Sequence, residues 1–212
     1  VKAIIQARMG SSRLPGKVMM DIAGKPLLAH VVERVNEVVD LIVATTENSR
    51  EIIKFCRDNG IEYFIGSEND VLDRYYQCAK KYELDDVIRV TADNPLIEPE
   101  MIRDLIRFYR EGHYDWVANC RLKVTYPVGN DAEIFTFEAL EKAWCTTTDS
   151  YDSECVTSFI YQHPELFKLG VMESKEDMSH LRWTVDTQED LERVREIYEE
   201  LRVSPGIHTR AS

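Results

Sequence analysis

The feature that most constrains this 212-residue chain is an alternation of two patterns. Apolar runs rich in Ile and Val take turns with segments whose apolar residues recur at helical spacing, four times in the first half. "KAIIQA" (2–7) leads through a glycine-containing loop to "PLLAHVVERVNEVV", where Leu27, Leu28, Val31, Val32, Val35, Val38 and Val39 share one face behind a helix-starting Pro26. "LIVATT" (41–46) precedes a helix predicted near 49–59, closed by Asn59-Gly60. "IEYFI" precedes a helix over 70–82. "DVIRVT" (86–91) precedes "ADNPLI" and a helix with Met101, Ile102, Leu105, Ile106 and Tyr109 facing inward. Nearly unbroken apolar strands between amphipathic helices predict an α/β fold of three layers, with a mainly parallel sheet covered on both faces.

Beyond residue 113 the rhythm loosens. "YDWVAN", "AEIFTF", "LFKLGVM" and "LRWTV" read as strands, with helices near 137–147 and 151–163. The stretch from about 119 to 182 reads as an insertion laid across the sheet, within one domain spanning 1–212. Thr187-Gln188-Glu189-Asp190 is a T-x-x-D capping box opening a helix with Leu191, Val194, Tyr198 and Leu201 inward. "RVSPGIHTRAS" reads as a frayed tail.

Charge narrows the function. With 38 acidic residues against 26 basic ones the chain carries a formal −12, which excludes a broad footprint for nucleic acid or an anionic membrane. Five scattered cysteines without a C-x-x-C pair indicate neither a disulfide framework nor a zinc knuckle, and no apolar run approaches membrane-spanning length. These features predict a cytoplasmic protein. Against the acidic background, residues 1–34 hold Lys2, Arg8, Arg13, Lys17, Lys25 and Arg34 but only Asp21 and Glu33, six cations less two acids, a local +4.

Three of those cations lie in "ARMGSSRLPGK" (7–17), at the carboxyl end of the first strand, where parallel sheets bind ligands. The spacing G-x-x-x-x-x-G-K is one residue too long for a P-loop, and Val18 stands where a magnesium-binding hydroxyl belongs. Gly10 and Gly16 still allow backbone amides to approach an anion, and Arg8, Arg13 and Lys17 repel one another unless an anion sits among them. A solvated loop paired with surface carboxylates is the plainer reading; location and composition favour polyphosphate.

Two aspartates stand where strand gives way to helix: Asp93 after "DVIRVTA", and Asp186 after "LRWTV". Each is readable as a helix cap. If their strands are close, both face one crevice and suit Mg²⁺, a hard cation that prefers carboxylate, water and phosphate oxygens.

In order and spacing, "IIQARMGSSRLPGKVMMDIAGKPLLAHV", "VIRVTADNPLIEPEMI" and "RWTVDTQEDLE" resemble the cytidylyltransferase family that makes CMP-activated sugar acids. The likeness is strongest to its spore coat polysaccharide biosynthesis protein F branch. The resemblance implies a glycosyltransferase-A-like nucleotidyltransferase that uses CTP and Mg²⁺, transfers CMP to a sugar or sugar-acid hydroxyl, releases pyrophosphate and works as a homodimer. Arg8, Arg13 and Lys17 would then grip the triphosphate, with Ala7, Gly10, Ser11 and Ser12 beside it. Asp93 and Asp186 would hold metal. Ala44, Thr45 and Thr46 of "ATTENS" would line the cytosine pocket with Arg74, a residue otherwise readable as a surface ion pair.

For the acceptor, Arg121, Lys123, Tyr126 and Asp131 are the candidates. The chain departs from the family pattern at Gly129-Asn130-Asp131, where G-L-D is expected, and at Glu154-Cys155-Val156, where Glu-His-Val is common. Both departures bear on acceptor choice. A glycosyltransferase of related architecture is disfavoured because no D-x-D occurs; a non-catalytic nucleotide-binding subunit is the other alternative. Neither a Ser-His-Asp nor a Cys-His set is evident. His30 reads as exposed on the polar side of its helix, and His163 as a structural cation at a helix end.

Overall fold

A computed structural model describes residues 1–147 and 154–203. Its core is a seven-stranded sheet ordered β5-β4-β1-β6-β8-β7-β9. The strands are β1 (Lys2–Gln6), β4 (Leu41–Thr46), β5 (Tyr63–Gly66), β6 (Asp86–Thr91), β7 (Trp116–Ala118), β8 (Glu133–Thr136) and β9 (Leu169–Val171), while β2 (Asp21–Ile22) and β3 (Lys25–Pro26) form a separate hairpin. Only β8 runs antiparallel to its neighbours.

Strand alternation divides the core. Ala3 and Ile5 of β1 join an apolar cluster with α1 (Leu27–Asn36), α2 (Arg50–Asp58), α4 (Pro99–Gly112) and α7 (Gln188–Val203). Ile4 faces the opposite cluster, with α3 (Val71–Lys81), α5 (Phe137–Thr146) and α6 (Ser158–Gln162). Ile4 and Ile5 are fully buried, each contributing about 1.5–3 kcal/mol of transfer free energy. Because β1 pairs in parallel with β4 on one side and β6 on the other, the carboxyl ends of β1 and β6 open together at a switch point of the sheet.

The first half follows the sequence reading, with α1 ending at Asn36 short of Val38 and Val39. The second half differs in three ways. Strands β8 and β9 extend the sheet instead of lying across it. "LRWTV" forms no regular strand: Trp183 and Thr184 donate to the Val128 carbonyl and Val185 to that of Asp93, so its bonds go to two loops rather than to one ladder. The helix near 151–163 is described only as α6, and its start, like residues 204–212 of the predicted tail, lies outside the described residues.

His30 and Leu201 correct expectation, while His163 stands at a helix end as expected. His30 is buried: its Nε2 lies 2.7 Å from the Ile22 carbonyl oxygen and its ring 4.3 Å from that of Tyr198. The hairpin and α7 cover what resembled a solvent face, and burial lowers the imidazole pKa. His163 uses Nδ1 on the Phe159 carbonyl, 2.7 Å away, and stacks on the Phe159 ring. Leu201 is exposed, because α7 outruns the body it packs on.

Candidate active site

The loop after β1 is shaped by its own backbone. Ser11 and Gly16 both donate amides to the Met9 carbonyl, and Gly16 adopts φ +71°, a left-handed conformation that glycine takes without a steric penalty. The turn delivers Lys17 into a short 3₁₀ segment at the base of the crevice, where it is 8% exposed, while Arg8 and Arg13 remain exposed above it.

Lys17 meets both aspartates. Its Nζ donates to Asp93 Oδ2 at 2.8 Å, to Asp186 Oδ1 at 2.9 Å and to the Val185 carbonyl at 2.7 Å. Arg13 Nη2 reaches Asp186 Oδ1 at 2.8 Å, and Arg182 Nη2 reaches Asp186 Oδ2 at 2.9 Å. Arg182 is itself fixed by Asp190, whose Oδ2 also accepts from the Asp186 and Thr187 amides. The T-x-x-D box therefore caps α7 and steadies the carboxylate before it. Partial burial would raise the Asp186 pKa, but Lys17, Arg13 and Arg182 outweigh it and hold the carboxyl below the ordinary range.

Three adjoining clefts make one crevice. The central one, about 240 Å³, is lined by the loop residues Ala7, Arg8, Ser11, Ser12 and Arg13 together with Lys17, Asp93 and Asp186. A second, about 230 Å³, shares Gln6, Ala7 and Arg8 with it and adds Glu68, Arg74 and Glu154. A third, about 220 Å³, shares Thr91, Asp93 and Asp186 and adds Arg89, Asn94, Arg121, Asp131 and Glu133.

Polar atoms in this crevice await partners. Among the described residues, seven buried side-chain polar atoms lack a hydrogen-bond partner, and five belong to residues that line the clefts: Gln6 Oε1, Arg74 Nε, Arg89 Nε, Asn94 Nδ2 and Arg121 Nε. Each such atom costs about 1–3 kcal/mol unless water or another group bonds it.

Arg74 is not a surface ion pair. It is 1% exposed, donates to the Ser67 carbonyl at 3.0 Å and faces the second cleft; burial lowers its pKa, with Arg8 adding like-charge repulsion. Ala44, Thr45 and Thr46 are buried within β4, and the three clefts are lined without them. Gly10 likewise stands outside the linings; a Cβ there would lie 3.8 Å from Glu68 Oε1.

Of the four residues expected to meet an acceptor, Arg121 and Asp131 line the third cleft, and Lys123 and Tyr126 do not. Lys123 points outward and pairs with Glu173 at 2.5 Å; Tyr126 borders a separate depression beside Phe108 and Met172. Asn130 also faces inward: it exchanges hydrogen bonds with the Glu98 amide and carboxylate, tying the loop to the start of α4.

Arg89 and Glu133 escaped sequence reading. Glu133 is 1% exposed; Arg89 Nη1 lies 2.5 Å from its Oε1, and Trp116 and Thr157 donate to its Oε2. Burial alone would raise the Glu133 pKa, but the Arg89 and Arg121 guanidiniums reverse that and keep it low. An Arg inside "DVIRVT" and a Glu opening "EIF", charges in strands otherwise apolar, were the available signals.

The residues present fit a magnesium ion. Among the described residues no three His, Cys, Asp or Glu side chains cluster as metal ligands, but Mg²⁺ commonly takes one or two carboxylates plus waters and phosphates. Here Asp93, Asp186 and the Val185 carbonyl already converge on a cation, the Lys17 ammonium.

Known proteins are similar to this chain in sequence and in fold. The spore coat polysaccharide biosynthesis protein SpsF of Bacillus subtilis is 33% identical over 220 residues, covering 96% of this chain and 88% of that protein. A 3-deoxy-manno-octulosonate cytidylyltransferase of Anaeromyxobacter sp. (strain K) is 42% identical over 111 residues, half of this chain and 46% of the relative. The solved structure of a cytidylyltransferase from Leptospira borgpetersenii superposes with a TM-score of 0.86 at 30% identity, covering 99% of this chain and 97% of that one. The sequence profile of the cytidylyltransferase family matches residues 2–205, and the chain belongs to that family of nucleotidyltransferase enzymes.

Proposed function

We propose that the protein transfers CMP from CTP to a hydroxyl of a sugar or sugar acid, releasing pyrophosphate, in the synthesis of a surface polysaccharide or glycoconjugate. One observation carries this reading: three clefts in a row, with cations and paired carboxylates in the middle one. The order suits a base beside Arg74, a triphosphate beside Arg8 and Arg13, and an acceptor beside Arg121 and Asp131. The names of the relatives support the same chemistry.

In this reading Arg8 and Arg13 neutralise the departing pyrophosphate, whose charge grows as the bond to the α-phosphorus breaks. Asp93 and Asp186 hold Mg²⁺, which when bound polarises the α-phosphate and lowers the pKa of the attacking hydroxyl. Arg121, whose Nε lies 3.6 Å from Glu133 Oε1, orients the acceptor from the opposite side. We place the enzyme in the cytosol as a homodimer; among the described residues no helix is long and apolar enough to cross a membrane.

Titration calorimetry with the four nucleoside triphosphates and Mg²⁺ tests the nucleotide half. CTP should bind at least about tenfold more tightly than the others, since a base-edge mismatch leaves buried groups unpaired. Equal affinities would refute a cytosine pocket at Arg74.

A further inference from the structure

Lys17 occupies the place that the proposed function gives to the metal. Its ammonium takes three oxygens at 2.7–2.9 Å, two from carboxylates and one from a carbonyl, which is a donor set for a hard cation. The contact is enclosed, since the Lys17 side chain is 10% exposed and that of Asp186 16%. Screening by solvent is correspondingly weak.

The carboxylate cannot turn away to free itself. Asp186 Oδ2 is held by Arg182, which Asp190 clamps through both of its oxygens, so Oδ1 is fixed towards Lys17. Lysine is the movable member, a point charge on a flexible four-carbon stem.

Charge balance points the same way. Arg13, Lys17 and Arg182 supply three positive charges against Asp93, Asp186 and Asp190, and Arg193 adds a fourth on Asp190 Oδ1. The cluster is thus neutral to slightly positive before any metal arrives. A bare divalent cation would have to displace an ammonium and leave it unpaired among arginines. A polyphosphate changes that, because its oxygens offer the displaced ammonium a better partner beside Arg8 and Arg13.

We infer that Lys17 is a built-in plug: in the free chain its ammonium holds the Asp93–Asp186 pair closed to metal, and an incoming nucleoside triphosphate draws it onto phosphate, opening the pair. Metal and nucleotide then bind cooperatively, each raising the affinity for the other. This rests on the metal-dependent reading above. It gives Lys17 two successive partners, the carboxylates at rest and the phosphates once loaded.

The test is equilibrium binding of Mn²⁺, followed by electron paramagnetic resonance, to the full chain without nucleotide. Wild type should bind Mn²⁺ at least about tenfold more weakly than Lys17→Met, which removes the ammonium but keeps the stem. Asp186→Asn in the Lys17→Met background should abolish the gain. Thermal melting checks that the variants fold. Independently, the Lys17 ammonium resonance of wild type should be protected in the free chain and shift on adding CTP. Equal Mn²⁺ affinity of wild type and Lys17→Met, or tight Mn²⁺ binding by nucleotide-free wild type, overturns the plug and leaves the metal site standing. Failure of every variant to bind Mn²⁺, with CTP or without, removes the metal site and the plug together.

Discussion

The backbone amide of Val185 donates to the carbonyl of Asp93 at 2.9 Å. That bond, seconded by Thr184 Oγ1 on the same oxygen at 3.2 Å, ties the segment before α7 to the end of β6 and sets Asp186 beside Asp93. The placing of the two carboxylates side by side is thus a property of the backbone as much as of the side chains.

Gly129 guards this arrangement. It sits at φ +104°, and a Cβ there would lie 2.3 Å from the Thr184 nitrogen. Gly129→Ala should push residues 183–185 away from Val128 and Asp93, costing about 2 kcal/mol or more in urea unfolding and lowering kcat more than KM for CTP. Unchanged stability and turnover would show that the segment is held by other contacts.

Glu133 neutralises two guanidiniums in the third cleft. Glu133→Gln keeps the shape but leaves the enclosed Arg89, and with it the partly exposed Arg121, without a counter-charge, an expected loss of about 3 kcal/mol that comes mainly from Arg89. Chemical denaturation reads this directly. A loss below about 1 kcal/mol would mean that water reaches the pair.

Asp131 gives the third cleft a pH dependence. Burial raises its pKa from 3.8 to about 6, against the pull of the Gly129 amide and Arg121. A carboxyl raised on folding contributes stability that is fully present below its unfolded pKa and lost as pH rises through about 6. Asp131→Asn, which keeps an oxygen for the Gly129 amide, should therefore be more stable than wild type at pH 8, by on the order of 2 kcal/mol, and show little difference at pH 4. A pH-independent difference would contradict the assigned pKa.

How legible the site was depended on distance along the chain. The loop cations could be found because Arg8, Arg13 and Lys17 lie within one turn and the strand period fixes where that turn emerges. The meeting of Asp93 and Asp186 could be stated only as a condition, since local pattern says nothing of which strand ends adjoin. Of the four residues expected at the acceptor, Arg121 and Asp131 line the third cleft while Lys123 and Tyr126 do not, and without a period the sequence held no signal to separate them. His30 misled because helical spacing assumes a solvent face, and a two-strand hairpin covered it. Arg74 is buried in the same way against its plainer surface reading, and Glu133 escaped notice because its partner Arg89 lies 44 residues away.

The account stands on transfer of the α-phosphate. The enzyme, incubated with Mg²⁺, CTP labelled at the α-phosphorus and a panel of acidic sugars, should place label in a sugar product and release pyrophosphate in equal amount, and Asp186→Asn should do neither. Label that stays in CTP with every acceptor, or transfer that survives the Asp186 change at the wild-type rate, would contradict it.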